Sequence, residues 1–345
     1  MEIYKIKGSV PAADYYKIID FLVSCWNRNH ALVKSKALLD FQHLSKETNS
    51  YNFIVAENQI TGKIDALSGY IPTSQYDPIL SDQGDYWGAI WKRRDNIDTP
   101  EGKQLGLETF EKVFSLPNFK SLCGISLSDD AVRWYKALRW KMDYLHQYYI
   151  INDNCNSFNI ADNVTERYVT DASVNKERGW LLKWISIDSI SDDEIVSVYR
   201  PLKSLVFIRN RYQRHPIYQY KFLGLFYYGK LKAILVTREN NVNGGKVLRI
   251  VDAYGKLGGY IYPSIQEILK KEDFEYVDFL NYGINSSVFT EMGFLEHNFE
   301  DDDIILPNYF EPFERRNVKM VVVYKAKYDY VAFKGDADQD RPNII

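Results

Sequence analysis

The sequence predicts an α+β fold of two tandem domains, each a mixed, mostly antiparallel sheet flanked by helices. Three observations carry this. The chain has 345 residues, about the length of two domains. Its apolar residues switch repeatedly between helical and strand periodicity. The order of those switches in the first half recurs in the second.

In the first half, 12–26 places Tyr15, Ile18, Ile19, Leu22 and Trp26 at helical spacing, and 31–44 does so with Leu32, Leu38, Leu39 and Phe41. Strands follow at 51–57 and 63–71, joined by Gln59-Ile60-Thr61-Gly62, whose glycine suits a positive φ. Pro72 to Gly84 reads as a polar loop and 86–91 as a third strand. Asp98-Thr99-Pro100-Glu101 marks a helix start, and Leu105, Leu107, Phe110, Val113 and Phe114 form its apolar face. A short buried strand at 121–127, a helix from Asp129 capped by Ser128, and a strand at 143–150 complete the unit.

The segment from 151 to about 178 is polar and rich in Asn and Asp, as a linker or outer loop is. The order then repeats. A helix is expected over 191–212, strands at 220–228, 231–238 and 246–254, a helix at 261–271, a strand at 275–281, a helix at 286–292 and a strand at 318–325. Gly229-Lys230 and Asn243-Gly244-Gly245 separate strands as hairpin loops do.

Composition narrows the function. Hydrophobic residues make up 46% and charged residues 26%, ordinary for a folded chain. Cys25, Cys123 and Cys155 are too few and too scattered for a disulfide framework or a structural zinc site, and they suit a reducing compartment. A net charge of −3 argues against general attraction to nucleic acid or an anionic membrane. No apolar run approaches a membrane span, and Met1 to Lys5 lacks a signal-peptide core. The expectation is a cytoplasmic protein with no metal, no nucleic-acid or membrane partner, and no indicated oligomeric state. The 27 Tyr, 18 Phe and 7 Trp suit both β surfaces and sugar-contacting surfaces.

Antiparallel strands followed by helix–strand–helix–strand resemble the acetyl-CoA-dependent N-acetyltransferase (GNAT) fold. Tyr135-Lys136-Ala137-Leu138-Arg139-Trp140 is similar to that family's Tyr-x-x-Leu-Gly-Phe signature, and Phe289-Thr290-Glu291-Met292-Gly293-Phe294 is similar to the same signature in the second half. The first keeps the tyrosine with Arg139 in place of glycine, and the second keeps Gly293 with Phe289 in place of tyrosine. Family resemblance implies that the tyrosine protonates the leaving thiolate. A phenol stays protonated at neutral pH and can donate, and phenylalanine cannot. The resemblance therefore makes 1–155 the catalytic domain, 156–180 a linker, and 181–345 a degenerate copy that shapes the acceptor site.

The family cradles the CoA pyrophosphate in backbone N–H groups at a helix start. The matching stretch here is Glu101-Gly102-Lys103-Gln104-Leu105-Gly106, where only Gly106 falls on the pattern, with Gly102 nearby; Lys92, Arg93 and Arg94 lie just upstream. Gly255-Lys256-Leu257-Gly258-Gly259 is the second half's equivalent. The resemblance assigns cofactor contacts to Lys103, Gln104, Leu105 and Gly106, and the thioester carbonyl to main-chain groups of Ala89, Ile90 and Trp91.

Trp26-Asn27-Arg28-Asn29-His30, Leu145-His146-Gln147-Tyr148-Tyr149-Ile150, Arg249-Ile250-Val251-Asp252, 307–313 and 335–343 resemble tandem GNAT-type proteins of bacterial surface-polysaccharide (lipopolysaccharide, O-antigen) gene clusters. That implies N-acylation, by acetyl-CoA or another acyl-CoA, of an amino sugar such as a nucleotide-linked 4-amino-4,6-dideoxyhexose. A sugar ammonium must lose a proton before attack, so His30 and His146 are candidate bases, each also readable as a structural histidine. Asp252, Asn308, Tyr309, Glu311, Asp336 and Asp338 are candidate sugar contacts, and Arg341 a candidate phosphate clamp, with a solvated C-terminal loop as the alternative. Glu300 to Asp303 lacks calcium-loop spacing and reads as a solvated loop. Two other functions stay open: a peptidoglycan-type transferase using aminoacyl-tRNA, and a non-catalytic carbohydrate-binding module on a decayed transferase.

Overall fold

The structure is a computed structural model that describes residues 3–164, 177–300, 304–338 and 340. Strand β1 (Tyr4–Lys7) leads to helix α1 (Tyr15–Cys25), which buries Ile18, Phe21 and Leu22 on one face. A single turn, Ala31–Lys34, precedes α2 (Lys36–His43), whose first turn is capped by the Ser35 hydroxyl. Strands β2 (Phe53–Asn58), β3 (Ile64–Pro72) and β4 (Asp85–Arg93) form an antiparallel meander. Helix α3 (Pro100–Lys112) begins at the Thr99 cap with proline at its first position, and crosses over to β5 (Ser121–Ile125), parallel to β4. Helix α4 (Asp129–Ala137), capped by Ser128, and β6 (Lys141–Tyr144) follow.

The strand expected at 143–150 is broken at Leu145, whose N–H bonds to Met320 O. Beyond the break, β7 (His146–Ile151) belongs to a different sheet. The second unit comprises β8 (Trp180–Ile185), β9 (Tyr220–Tyr227), β10 (Lys230–Val242), β11 (Gly245–Gly255), α5 (Tyr262–Glu272), β12 (Tyr276–Tyr282), α6 (Ser286–Met292) and β13 (Leu295–Glu296). Strands β14 (Val321–Ala326) and β15 (Ala332–Phe333) close the described chain. The helix expected over 191–212 is reduced to the turns Leu205–Ile208 and Arg209–Gln213. Pro201 lacks an N–H and pushes Arg200 toward extended backbone, so no helix runs through it.

The two sheets share one plan. The first runs β1-β2-β3-β4-β5-β14-β6 and the second β8-β9-β10-β11-β12-β7-β13, with β15 added on β12. Each sheet therefore takes its sixth strand from the other half: β14 sits between β5 and β6, and β7 between β12 and β13. The sheets trade one strand each across the linker expected at 156–180. Residues 165–176 of the expected linker, and 301–303 of the acidic run, lie outside the described residues. The described part of that linker is packed: Ile160 and Ala161 are fully buried and donate their N–H groups to the Glu275 carboxylate.

A core drawn from both halves, including Trp87, Cys123, Tyr212, Val236, Leu280 and Val322, lies between the sheets. Hydrogen bonds tie the same surfaces: Asn210 Nδ2 to Tyr76 O at 2.6 Å, Tyr328 OH to Asp85 at 2.6 Å, and Tyr282 OH with Tyr324 OH at 2.9 Å. Among the described residues, no helix is long and apolar enough to cross a membrane.

Candidate active site

Strands β4 and β5 pair from Asp85–Trp87 against Ser121–Cys123 and then part. Beyond that point, among the described residues, β4 pairs only with β3 and β5 only with β14, so the facing backbone edges part. A bulge lies at the parting. Between the Tyr70–Gly88 and Ser68–Trp91 pairs, β4 carries Ala89 and Ile90 against Gly69 alone. Bulges re-aim backbone groups in this way beside active sites. A cavity of about 330 Å³ fills the V, with Gly88 to Trp91 on one wall and Gly124 to Ser128 on the other.

Tyr135 on α4 lines this cavity, together with Phe110 of α3. Its ring packs against Trp140 at 4.8 Å, Phe110 at 5.6 Å and Trp91 at 5.9 Å between centroids. The Trp91 indole is itself held by a 2.7 Å hydrogen bond to Gly106 O. Burial pushes the Tyr135 phenol well above its ordinary range, and the nearby Cys123 sulfur adds to this. The phenol therefore keeps its proton throughout the physiological range.

The other end of the cavity is built by the second half, including Tyr218, Arg238, Arg249, Asn308 and Lys334. Arg249 meets Asp278 through two hydrogen bonds, 2.9 Å from Nε and 2.6 Å from Nη2, and gives Nη1 to Asn308 O at 2.8 Å. Such a fork is rigid as well as strong. Gln147, on the exchanged strand β7, adds a 2.9 Å bond to the same carboxylate. Arg238 reaches Asp340 at 2.9 Å and Glu311 at 3.4 Å, and lies over the Tyr218 ring at 4.0 Å. Tyr218 donates its hydroxyl to Glu311. Among the described residues, two buried atoms at this end have no hydrogen-bond partner: Asn308 Oδ1, an acceptor, and Arg238 Nε, a donor. A hydroxyl-bearing ligand could satisfy both. Burial pulls the Lys334 ammonium down to about 8.

His30 lines the same cavity beside Trp26, with ring centroids 5.7 Å apart. Its Nδ1 accepts the Leu32 N–H at 3.3 Å.

The corresponding V in the second half is closed. Strands β11 and β12 pair from Val247–Ile250 against Tyr276–Phe279, and β11 then bulges at Val251, as β4 does. Here the chain's own residues 332–336 enter the gap. β15 pairs with β12, Lys334 N donates to Leu280 O at 3.2 Å, and Gly335 N donates to Val251 O at 2.7 Å. A buried cluster locks the insertion: Lys203 bonds Asp252 and Asp336, each at 2.7 Å, and Tyr212 donates to Asp252 at 2.5 Å. Phe289, at the signature position of Tyr135, stacks on Tyr148 at 3.9 Å in a filled core.

No family model matches the chain, and no curated protein matches it in sequence. Solved structures match it in fold. A GCN5-related N-acetyltransferase from Anabaena variabilis aligns with a TM-score of 0.51 at 10% identity, over 93% of this chain and 72% of that one. A conserved protein of unknown function from Enterococcus faecalis, a probable N-acyltransferase, aligns with a TM-score of 0.51 at 8% identity, again over 93% and 72%. The fold is the GNAT fold.

Within it, the expected site residues separate into two groups. Tyr135, His30, Ala89, Ile90, Trp91, Asn308, Tyr309, Glu311 and Asp338 all line the one cavity. Lys103, Gln104, Leu105 and Gly106 do not. Because α3 starts at Pro100, they lie in its first turns: the Lys103 N–H is spent on Thr99 O, and later ones enter the helical ladder. His146 is carried away with β7 into the second sheet, where Nδ1 meets Glu296 at 2.7 Å. Asp252 is consumed by Lys203 and Tyr212 inside the closed V. Arg341 lies outside the described residues. The sequence reading gave no role to Trp26, Tyr218, Arg238, Arg249 or Lys334. Trp26 and Arg249 stand in segments that carried the resemblance. Lys334 follows the apolar run Val331-Ala332-Phe333, the one local sign of its burial.

Proposed function

We propose that the chain is an acyl-CoA-dependent N-acyltransferase acting on an amino sugar, such as a dTDP-linked 4-amino-4,6-dideoxyhexose, in surface-polysaccharide synthesis. The observation that carries this is the asymmetry of the two V-shaped gaps: the one beside Tyr135 is open, and the one beside Phe289 is filled by the chain itself. Acyl-CoA supplies the activated thioester. The free edge of β4 beyond Trp87 offers N–H and C=O groups to an amide-bearing arm, as a strand edge does to a peptide. The bulge at Ala89 and Ile90 offers main-chain donors to the carbonyl. Tyr135 holds a proton for the departing sulfur. At the far end, Asn308 Oδ1 accepts from a sugar hydroxyl and Arg238 Nε donates to one.

The test is thiol release from acetyl-CoA with dTDP- and UDP-linked amino sugars as acceptors. Tyr135→Phe should lower kcat by about 10²–10⁴-fold and leave acetyl-CoA affinity unchanged. Full turnover by this variant would remove the acid role.

One observation favours a second reading, a carbohydrate-binding module without catalysis. The α3 start is capped by Thr99 and contributes nothing to the cavity wall, so the phosphate cradle that the resemblance assigns to α3 is not part of this cavity. A thermal shift with nucleotide sugar and none with CoA would select that reading.

A further inference from the structure

The chain that closes the second V continues into the first half's cavity. Residues 332–336 are bonded on both sides, to Leu280 on β12 and Val251 on β11, where a strand edge would otherwise be free. They turn sharply: the Asp336 carboxylate accepts the Phe333 N–H at 2.8 Å, and Asp336 N–H returns to Phe333 O at 3.0 Å. Lys203 pins that carboxylate from behind at 2.7 Å. The turn sets Lys334 and Asp338 in the wall of the cavity that Tyr135 also lines. A buried lysine on a segment fixed this firmly is a placed group, and the acid chemistry of Tyr135 leaves it unused.

We propose that Lys334 is the base that takes the proton from the acceptor ammonium, carried to its place by the strap that fills the second half's gap. This rests on the N-acyltransferase reading. Other groups in the cavity are less suited. His30 already spends its Nδ1 lone pair on the Leu32 N–H. Glu311 is engaged by Tyr218 and Arg238. The charges that face Lys334 are Asp338 and Asp340 on its own segment, Arg249 of β11 and Arg238 of β10. The two guanidiniums and the loss of water favour a neutral amine, and the two carboxylates oppose it.

The protons balance. The neutral Lys334 amine takes one proton from the acceptor ammonium. The freed lone pair forms the N–C bond as the C–S bond breaks. A second N–H proton leaves the nitrogen and replaces the one that Tyr135 gives to sulfur. Lys334 then returns its proton to water. An ammonium and a thioester thus become an amide, a thiol and one proton.

The experiment uses the full chain, acetyl-CoA and the amino-sugar acceptors named above. The wild-type kcat should rise with pH on a single limb set by Lys334. Lys334→Met and Lys334→Arg should each lose about 10²–10⁴-fold in kcat, with acetyl-CoA affinity and acceptor KM nearly unchanged, and Lys334→Met should lack the limb. A wild-type profile without that limb, or a Lys334→Met enzyme that keeps rate and limb, overturns the assignment while leaving the N-acyltransferase reading in place. No thiol release from the wild type with any acceptor removes the reading itself, and the assignment with it.

Discussion

His215 shows how one buried side chain can make the stability of the molecule depend on pH. It is buried beside Arg211, Arg238 and Asp340, with Nδ1 accepting the N–H groups of Ile217 and Tyr218 at 3.2 and 2.9 Å. Burial, helped by the guanidiniums, lowers its pKa from 6.5 to about 3. Between those values the unfolded chain binds a proton that the folded chain refuses. Stability from this group is therefore complete above 6.5 and falls as the pH drops toward 3. Urea midpoints across that window should fall more steeply for the wild type than for His215→Gln. Parallel curves would show that His215 does not set the slope. Residue-scale reading from sequence picked out Tyr135 by its signature, and the structure places it in the wall of the open cavity. It missed Lys334, because no local pattern tells a lysine that it will be enclosed by strands from elsewhere in the chain.

At the scale of elements, the strap and the two V-shaped gaps matter most. Gly335 passes so close to its surroundings that an added Cβ would lie 2.3 Å from the Tyr212 hydroxyl and 2.9 Å from Val251 O. Gly335→Ala should cost about 1–3 kcal/mol, the scale of overpacking, read as a lowered Tm. Because the strap bears Lys334 while β4 bears the Ala89–Trp91 part of the wall, the variant should raise the acceptor KM and spare acetyl-CoA affinity. A loss of acetyl-CoA affinity alone would contradict this division. Most elements were legible as elements: α1, α3 and the meanders announce themselves by period. Their partners were not. The strands read at 143–150 and 318–325 alternate in the same way whichever sheet receives them, and the register break at Leu145 depends on Met320, far along the chain. The helix expected over 191–212 followed apolar spacing through Pro201, where the missing N–H decides otherwise.

For the whole molecule, the traded strands make the halves one folding unit. Without β14 the first sheet has a vacant position between β5 and β6, and without β7 the second has one between β12 and β13. Heating should therefore give a single transition, with calorimetric and van't Hoff enthalpies equal. Two resolved transitions would mean that the halves hold together independently. The core between the sheets, which mixes Trp87 and Val322 with Tyr212 and Leu280, supports the same expectation.

The exchange also makes each half a lock for the other's key. A gene severed between the copies would yield two pieces, each presenting an empty berth whose width, direction and hydrogen-bond spacing fit a strand found on its sister. Produced together, 1–164 and 177–345 should reassemble and restore thiol release; produced apart, neither should. Such a pair would serve as a split reporter whose signal requires both seams to close at once.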